Sequence, residues 1–249
     1  MNLFLHGASD FNVMQGDTLR DPKILQGGNI AKFDCVIANP PFSLENWGAT
    51  EWSSDKYKRN IYGTPSDSCG DYAWIQHMIC SMVSGQGRMA VVMPQGILFR
   101  NQETEIRKQL VESDLIEAVV TLGDKLFYGT GLSPCFLIIR RMKPAHHSGR
   151  ILMIDGSKIL TQKRAQNILE ENDIDRLYSL YQNYSDEEDY SRIVTLQEIR
   201  DKEYNLSPNR YVVYHKEEIR PYAEVLAEFK HAYEEVKRLE EEFSLLINA

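Results

Sequence analysis

The sequence predicts an α/β fold with a largely parallel sheet, and three observations carry that expectation. Short, nearly continuous apolar runs at residues 33–38, 88–93, 115–122 and 135–140 have the length and character of strands covered on both faces. Segments of helical periodicity lie between them, at 71–83 and 103–113. Prolines and glycines punctuate the changes of period, with Asn39-Pro40-Pro41 after the first run, Gly85 and Gly87 before the second, and Pro94 after it.

Taken in order, residues 1–9 read as the end of a helix stopped by Gly7, and 12–16 as a short strand ending in Gly16-Asp17-Thr18-Leu19. A Gly27-Gly28 loop precedes the 33–38 strand. Residues 43–70, rich in Ser, Gly, Asp and Trp without periodicity, read as a long functional loop. Helix 71–83 places Trp74, Ile75, Met78, Ile79 and Met82 on one face. A Gly-rich connection around Gly129 and Gly131 joins the strands at 115–122 and 135–140, and 151–154 adds another strand. From about Asp155 the composition turns charged and helical, which divides the chain into a catalytic part, 1–155, and a helical tail, 156–249. The tail ends in a long helix at 221–247. Its Leu226, Phe229, Tyr233 and Val236 follow 3–4–3 spacing before slipping to Leu239, Phe243 and Leu246, a coiled-coil seam with one irregular step.

The chain has 249 residues, 43% hydrophobic, enough to bury a core without staples. No run of about 18 apolar residues exists, and the first residues lack the charged and apolar regions of a signal peptide. The four cysteines are far apart with no C-x-x-C, and read as reduced thiols of a cytoplasmic protein. Six histidines without H-E-x-x-H spacing give no metal site. A net charge of −8 argues against holding nucleic acid by bulk electrostatics, but leaves DNA open as a substrate if a partner or a local patch supplies the phosphate contacts. Arg88, Arg100, Arg107, Lys108, Arg140, Arg141 and Lys143 are candidates for such a patch, or equally for scattered solvated charge.

The sharpest motif is Asn39-Pro40-Pro41-Phe42 at the carboxyl end of an apolar strand, the edge at which open α/β sheets bind ligands. Pro40 and Pro41 fix φ and remove backbone donors, presenting the Asn39 amide and the Pro40 carbonyl as rigid acceptors. Two fixed acceptors on the hydrogens of an exocyclic amine localise its lone pair and make the nitrogen a nucleophile. Phe42 offers a face on which a base stacks, worth roughly 1–3 kcal/mol. Such strings are also turn signals, but an Asn-Pro-Pro-aromatic string arises by chance in well under about 1% of chains of this length. Gly16-Asp17 would open onto the same edge, where the Asp17 carboxylate can accept from the amino group of a nucleotide-like cofactor; Gly-Asp is also a common turn. Asp124 and Lys125 read as a solvated turn, and His77 as a core histidine.

These motifs resemble the methyltransferases that modify adenine at N6 using S-adenosylmethionine. More closely, the chain resembles the modification (M) subunits of type I restriction-modification systems. The marks are Asn2-Leu3-Phe4-Leu5-His6-Gly7, Gly16-Asp17-Thr18-Leu19, Asn39-Pro40-Pro41-Phe42 and Asp71-Tyr72-Ala73-Trp74, then 92–99, Leu126-Phe127-Tyr128-Gly129-Thr130-Gly131, 154–157 and 204–211. The resemblance implies a partial Rossmann-like methyltransferase sheet with a C-terminal helical appendage. It implies that Asn39 and Pro40 hold the target N6, that Phe42 stacks on the flipped adenine, and that Asp17, Thr18 and Asn39 face S-adenosylmethionine, with no metal. Its implied partners are DNA, a specificity (S) subunit docked on the helical tail and, in the full complex, a restriction subunit, with no membrane.

The family's glycine-rich Asp-Pro-Ala-Cys-Gly-Ser-Gly-like loop is not in this sequence, and Gly123-Asp124 stands where the family has Leu-Pro. The expectation is therefore a fragment or one half of a split protein, inactive alone, with the 33–38 strand left as an open apolar edge. Competing readings are a non-catalytic assembly module, a methyltransferase acting on protein glutamine, and a solitary DNA methyltransferase.

Overall fold

The computed structural model describes residues 2–127, 131–164, 166–215 and 221–247. Two compact units divide at 213/214, Met1–Val213 and Tyr214–Ala249.

The first unit opens with α1 (Asn2–Leu5), ended by Gly7 at φ +83°. The hairpin β1 (Leu25–Gln26) and β2 (Asn29–Ile30) follows. Gly27 and Gly28 both have positive φ there, the geometry of the tight turn that matches strand twist. The main sheet has six strands in the order β3-β4-β6-β5-β7-β8. They are β3 (Cys35–Ala38), β4 (Arg88–Pro94), β5 (Ile116–Leu122), β6 (Pro134–Arg140), β7 (Arg150–Gly156) and β8 (Ser191–Thr195). Helices α2 (Ala49–Ser53), α3 (Asp71–Cys80), α4 (Thr104–Glu112), α5 (Glu171–Asn183) and α6 (Leu196–Asp201) complete the unit.

Three expectations need correction. The sheet is mixed rather than largely parallel: β3–β4 and β5–β7 are parallel, while β4–β6, β5–β6 and β7–β8 are antiparallel. The link from β5 to β6 carries no crossover helix among its described residues, so the chain turns back and β6 slots between β4 and β5. No strand forms at 12–16. Phe11, Val13 and Met14 are exposed there, and no described strand lies alongside to share a ladder, without which extended backbone gains nothing. The chain does not divide at 155/156 either: β7 runs through that point, and β8, from the expected tail, pairs with it.

The sheet packs on both faces. Met89, Val91, Met93, Val119, Leu137, Ile139 and Met153 meet Ile75, Met78 and Ile79 of α3 and Leu110 and Val111 of α4 on one side. Ala118, Val120, Leu122, Leu152 and Ile154 meet Leu177, Leu180 and Tyr181 of α5 on the other. All seven residues of β5 are buried, as a central strand requires, and its Glu117 side chain is held by Arg140, His147 and Tyr181. β3 contrasts with it. Among the described residues it pairs on one side only, Cys35 is exposed, and Ile37 is 77% exposed, so the strand is an edge.

The second unit contains α7 (Tyr222–Ile247). Along it Phe229, Tyr233, Val236, Leu239 and Phe243 are all more than half exposed, with Phe229 and Tyr233 stacked. No described helix is long and apolar enough to cross a membrane.

Candidate active site at the carboxyl edge of β3

β3 and β4 run parallel, Cys35–Ala38 opposite Arg88–Val91, so their carboxyl ends share one edge. Asn39 leaves that edge exposed, Pro40 is buried, Pro41 is exposed and Phe42 is half-buried. The Phe42 ring meets Phe127 edge to face, centroids 6.2 Å apart at 78°. Phe127 comes from the connection after β5, so two aromatic rings from distant segments flank the loop. Tyr128, Gly129 and Thr130 of the same motif lie outside the described residues.

Past Phe42, the segment 43–48 is fastened along its length. Ser43 N–H donates to Asp71 Oδ1 at 2.8 Å, Gly70 N–H to the Leu44 carbonyl at 3.0 Å, and Asn46 N–H to the Asp67 carbonyl at 2.9 Å. Trp47 and Trp52 are buried with Leu19 and Ala73 in a small separate core. Gly70 is required beside it, since a Cβ would lie 2.8 Å from the Trp47 ring.

Asp17 and Thr18 sit in a turn rather than at a strand end. The Asp17 carboxylate accepts from Leu19 N–H and Arg20 N–H, both at 3.0 Å, and from the Arg20 guanidinium at 3.2 Å. Burial raises its pKa, but these hydrogen bonds outweigh burial and hold it below the usual carboxylate range. With about four acceptor positions on a carboxylate, one remains for an outside donor. Arg20 also donates to the Asn46 carbonyl, so the turn carrying Asp17 is tied to the segment that follows Phe42. The nearby cavity, about 180 Å³, is lined by Gly16, Thr18, Val36 and His77, but not by Asp17 or Asn39–Phe42.

Arg59 locks this turn from beneath. Its side chain is 1% exposed, donates to the Thr18 carbonyl at 2.9 Å and the Leu19 carbonyl at 2.6 Å, and pairs with Asp55 at 2.7 Å. Its guanidinium lies 4.4 Å from the Trp52 ring centroid. His77 Nδ1 faces Arg59 at 3.2 Å, a core role as the sequence suggested. Burial, with the Arg59 charge second, lowers the His77 pKa from 6.5 to about 4. The folded state therefore keeps this ring neutral while the unfolded chain binds a proton. Its contribution to stability is present above about pH 6.5 and lost as the pH falls toward 4. Urea unfolding from pH 7 to 4 is expected to show that loss, with a shallower slope in His77→Gln.

A second buried charge cluster lies at the start of α3. Arg100 pairs with Asp71 and, at 3.0 Å, with Glu103, while Cys69 Sγ lies 3.2 Å from Asp71 Oδ2. Burial raises the Glu103 pKa against the opposing pull of Arg100, and burial pushes the Cys69 thiol up to about 12. Cys69, Asp71 and Glu103 have the spacing of a metal site, but the Arg100 guanidinium already pairs with both carboxylates.

The proposed basic patch does not form as such. Arg100 and Arg107 turn inward, Arg140 pairs with Glu117, Lys143 with Asp114, and Arg141 donates to the Ile79 carbonyl. Internal carbonyls and carboxylates claim these cations. A groove of about 820 Å³ is lined by Lys108, Lys202 and Arg210, but also by Glu105 and Glu203, and its Arg200 pairs with Glu112. Asp124 and Lys125 form a turn tied to Asn167, which donates to the Asp124 carbonyl.

Sequence reasoning missed Arg20, Arg59 and the roles of Asp71 and Glu103. The charge pairs at three- and four-residue spacing, Asp17/Arg20, Asp55/Arg59 and Arg100/Glu103, were legible; their burial and long-range carbonyl partners were not.

The loop Asn39-Pro40-Pro41-Phe42 thus leaves the carboxyl end of β3 stiffened by two prolines and carrying an aromatic face, in a mixed α/β sheet. The chain belongs to the N-6 DNA Methylase family, whose model matches residues 1–219. It is 36% identical to the type I restriction enzyme MjaVII methylase subunit of Methanocaldococcus jannaschii, over 97% of this chain and 43% of that protein. The HindI methylase subunit of Haemophilus influenzae is 30% identical over 85% of this chain and 48% of that protein. The crystal structure of a type I restriction-modification methyltransferase subunit from Streptococcus thermophilus superposes with a TM-score of 0.77 at 29% identity, covering 86% of this chain and 45% of that one. The chain thus spans less than half the length of these relatives.

Proposed function

We propose that this chain carries the adenine-binding half of a DNA N6-adenine methyltransferase, the modification subunit of a type I restriction-modification system. The observation that supports it is the Asn39-Pro40-Pro41-Phe42 loop at the carboxyl end of β3, with Phe127 against Phe42, in a member of the N-6 DNA Methylase family. Asn39 and the Pro40 carbonyl accept the two N6 hydrogens of an adenine turned out of the duplex, and Phe42 stacks on its face. The nitrogen attacks first and releases its proton afterwards, so no strong base is required.

The cofactor of this reading is S-adenosylmethionine, which supplies an electrophilic methyl group when bound. The residues present fit one end of it. Asp17 keeps an acceptor position for the adenine amino group and Thr18 lies beside it, whereas the sequence contains no G-x-G-x-x-G string to cradle the methionine end. Activity therefore depends on a segment that supplies that cradle.

The exposed stripe Phe229, Tyr233, Val236, Leu239 and Phe243 of α7 suits a partner helix, and we assign it to the specificity subunit; the restriction subunit would join in the full complex. The deciding experiment is transfer of labelled methyl from S-adenosylmethionine to DNA, by this chain alone and with a polypeptide carrying the glycine-rich loop of a relative. Label is expected in N6-methyladenine with the supplement. Label in protein glutamine, or none under any condition, would overturn the reading in favour of a protein methyltransferase or an assembly module. Full activity without a specificity subunit would point to a solitary enzyme. Phe42→Ala is expected to weaken DNA binding about 5- to 150-fold, the loss of one stacking contact of about 1–3 kcal/mol, measurable by fluorescence anisotropy.

A further inference from the structure

Among the described residues β3 pairs on one side only, so its ladder holds the loop that follows from that side alone, and the loop needs another anchor. That anchor is the first residue of α3. Asp71 is fully buried, and both of its carboxylate oxygens are engaged. Oδ1 accepts from Ser43 N–H at 2.8 Å, while Oδ2 takes the Arg100 guanidinium and faces Cys69 Sγ at 3.2 Å. Ser43 directly follows Phe42 and has φ +49°, a left-handed conformation that a non-glycine residue keeps only where its surroundings dictate it. Arg100 lies six residues beyond Pro94, the end of β4, past a short 3-10 turn at Gln95–Leu98, and is itself steadied by Glu103. A continuous path of hydrogen bonds thus runs from Glu103 through Arg100 and Asp71 to the residue after Phe42.

We propose that Asp71 is a positioning residue for the Asn39-Pro40-Pro41-Phe42 loop, acting through the Ser43 amide and itself oriented by Arg100. The idea rests on the methyltransferase reading for its catalytic consequence, but its structural core is testable without activity. Hydrogen exchange on the full chain should show the segment 39–47 exchanging at least about tenfold faster in Asp71→Ala, with β5 and α4 unchanged. Asp71→Asn keeps an oxygen for Ser43 but loses the charge that holds Arg100. It should give a smaller acceleration, about threefold, confined to the same segment, and it serves as the deciding variant should Asp71→Ala not fold. In a preparation that methylates DNA, kcat should fall about 30-fold or more in Asp71→Asn while KM for S-adenosylmethionine changes less than about twofold. Unchanged exchange in 39–47, acceleration spread across the sheet, or an unaltered kcat would overturn the proposal. Absence of methylation by the unaltered protein would sink the functional reading alone, and the exchange data would still decide the role of Asp71.

Discussion

Methyl transfer by the Asn39→Ala variant is expected to fall by about 10²–10³ relative to the unaltered protein, assayed under conditions where the latter is active. That is the scale seen when one preorganised polar group is withdrawn from the place where charge develops, on the order of 3–4 kcal/mol in the barrier. The Asn39 amide is offered as such a group, an acceptor stiffened by the two prolines behind it, so an alanine leaves one amine hydrogen without its partner. Asn39 is exposed, so the substitution creates no cavity and thermal stability should change by less than about 0.5 kcal/mol. Asn39→Asp, which keeps an oxygen at the same reach, should retain more activity than alanine. Equal activity in all three proteins would remove Asn39 from the chemistry.

The largest loss of stability is expected at Arg59. Replacing it with methionine keeps much of the aliphatic stem but withdraws the guanidinium from Asp55, from the Thr18 and Leu19 carbonyls and from the Trp52 ring. Asp55, 7% exposed, is left as a buried charge without its counter-ion, the situation that costs about 3–5 kcal/mol when one partner of a buried pair is removed. Urea unfolding should show the midpoint falling with little change in slope. The Asp55 carboxyl, held low by its hydrogen bonds from Arg59 despite burial, should then titrate at higher pH. A variant as stable as the parent would mean that the turn at 17–20 holds itself, without the arginine beneath it.

Much of this architecture was legible beforehand because it rests on local signals. Helix α3 and strands β4 to β7 fall within a few residues of where apolar periodicity placed them, and the terminal helix begins one residue after its expected start. The Asn39-Pro40-Pro41-Phe42 loop emerges from a strand end as expected, since two prolines stop a ladder wherever the strand lies. What stayed hidden depends on neighbours. The 12–16 segment has strand-like composition, yet composition cannot say whether a partner strand will be there. The antiparallel insertion of β6 follows from the path of one connection, not from the residues of β6. Arg59 and Arg100 look like ordinary surface cations until the carbonyls of Thr18 and Leu19 and the carboxylate of Asp71, 29 to 41 residues away, close over them.

Among the described residues, the one-sided pairing of β3 places a vacant template directly beside the candidate site. Its outward backbone groups and the bare Ile37 side chain invite another strand, and in isolation they invite the wrong one, so concentrated solutions of this chain should self-associate through that border. A cognate strand laid there would do more than cover it. Asn39 is the very next residue after the ladder, so each hydrogen bond gained along Cys35–Ala38 would damp the motion of the side chain proposed to hold the target amine. Assembly and activation would then be a single event, and a chain unaccompanied would be idle by construction of its sheet.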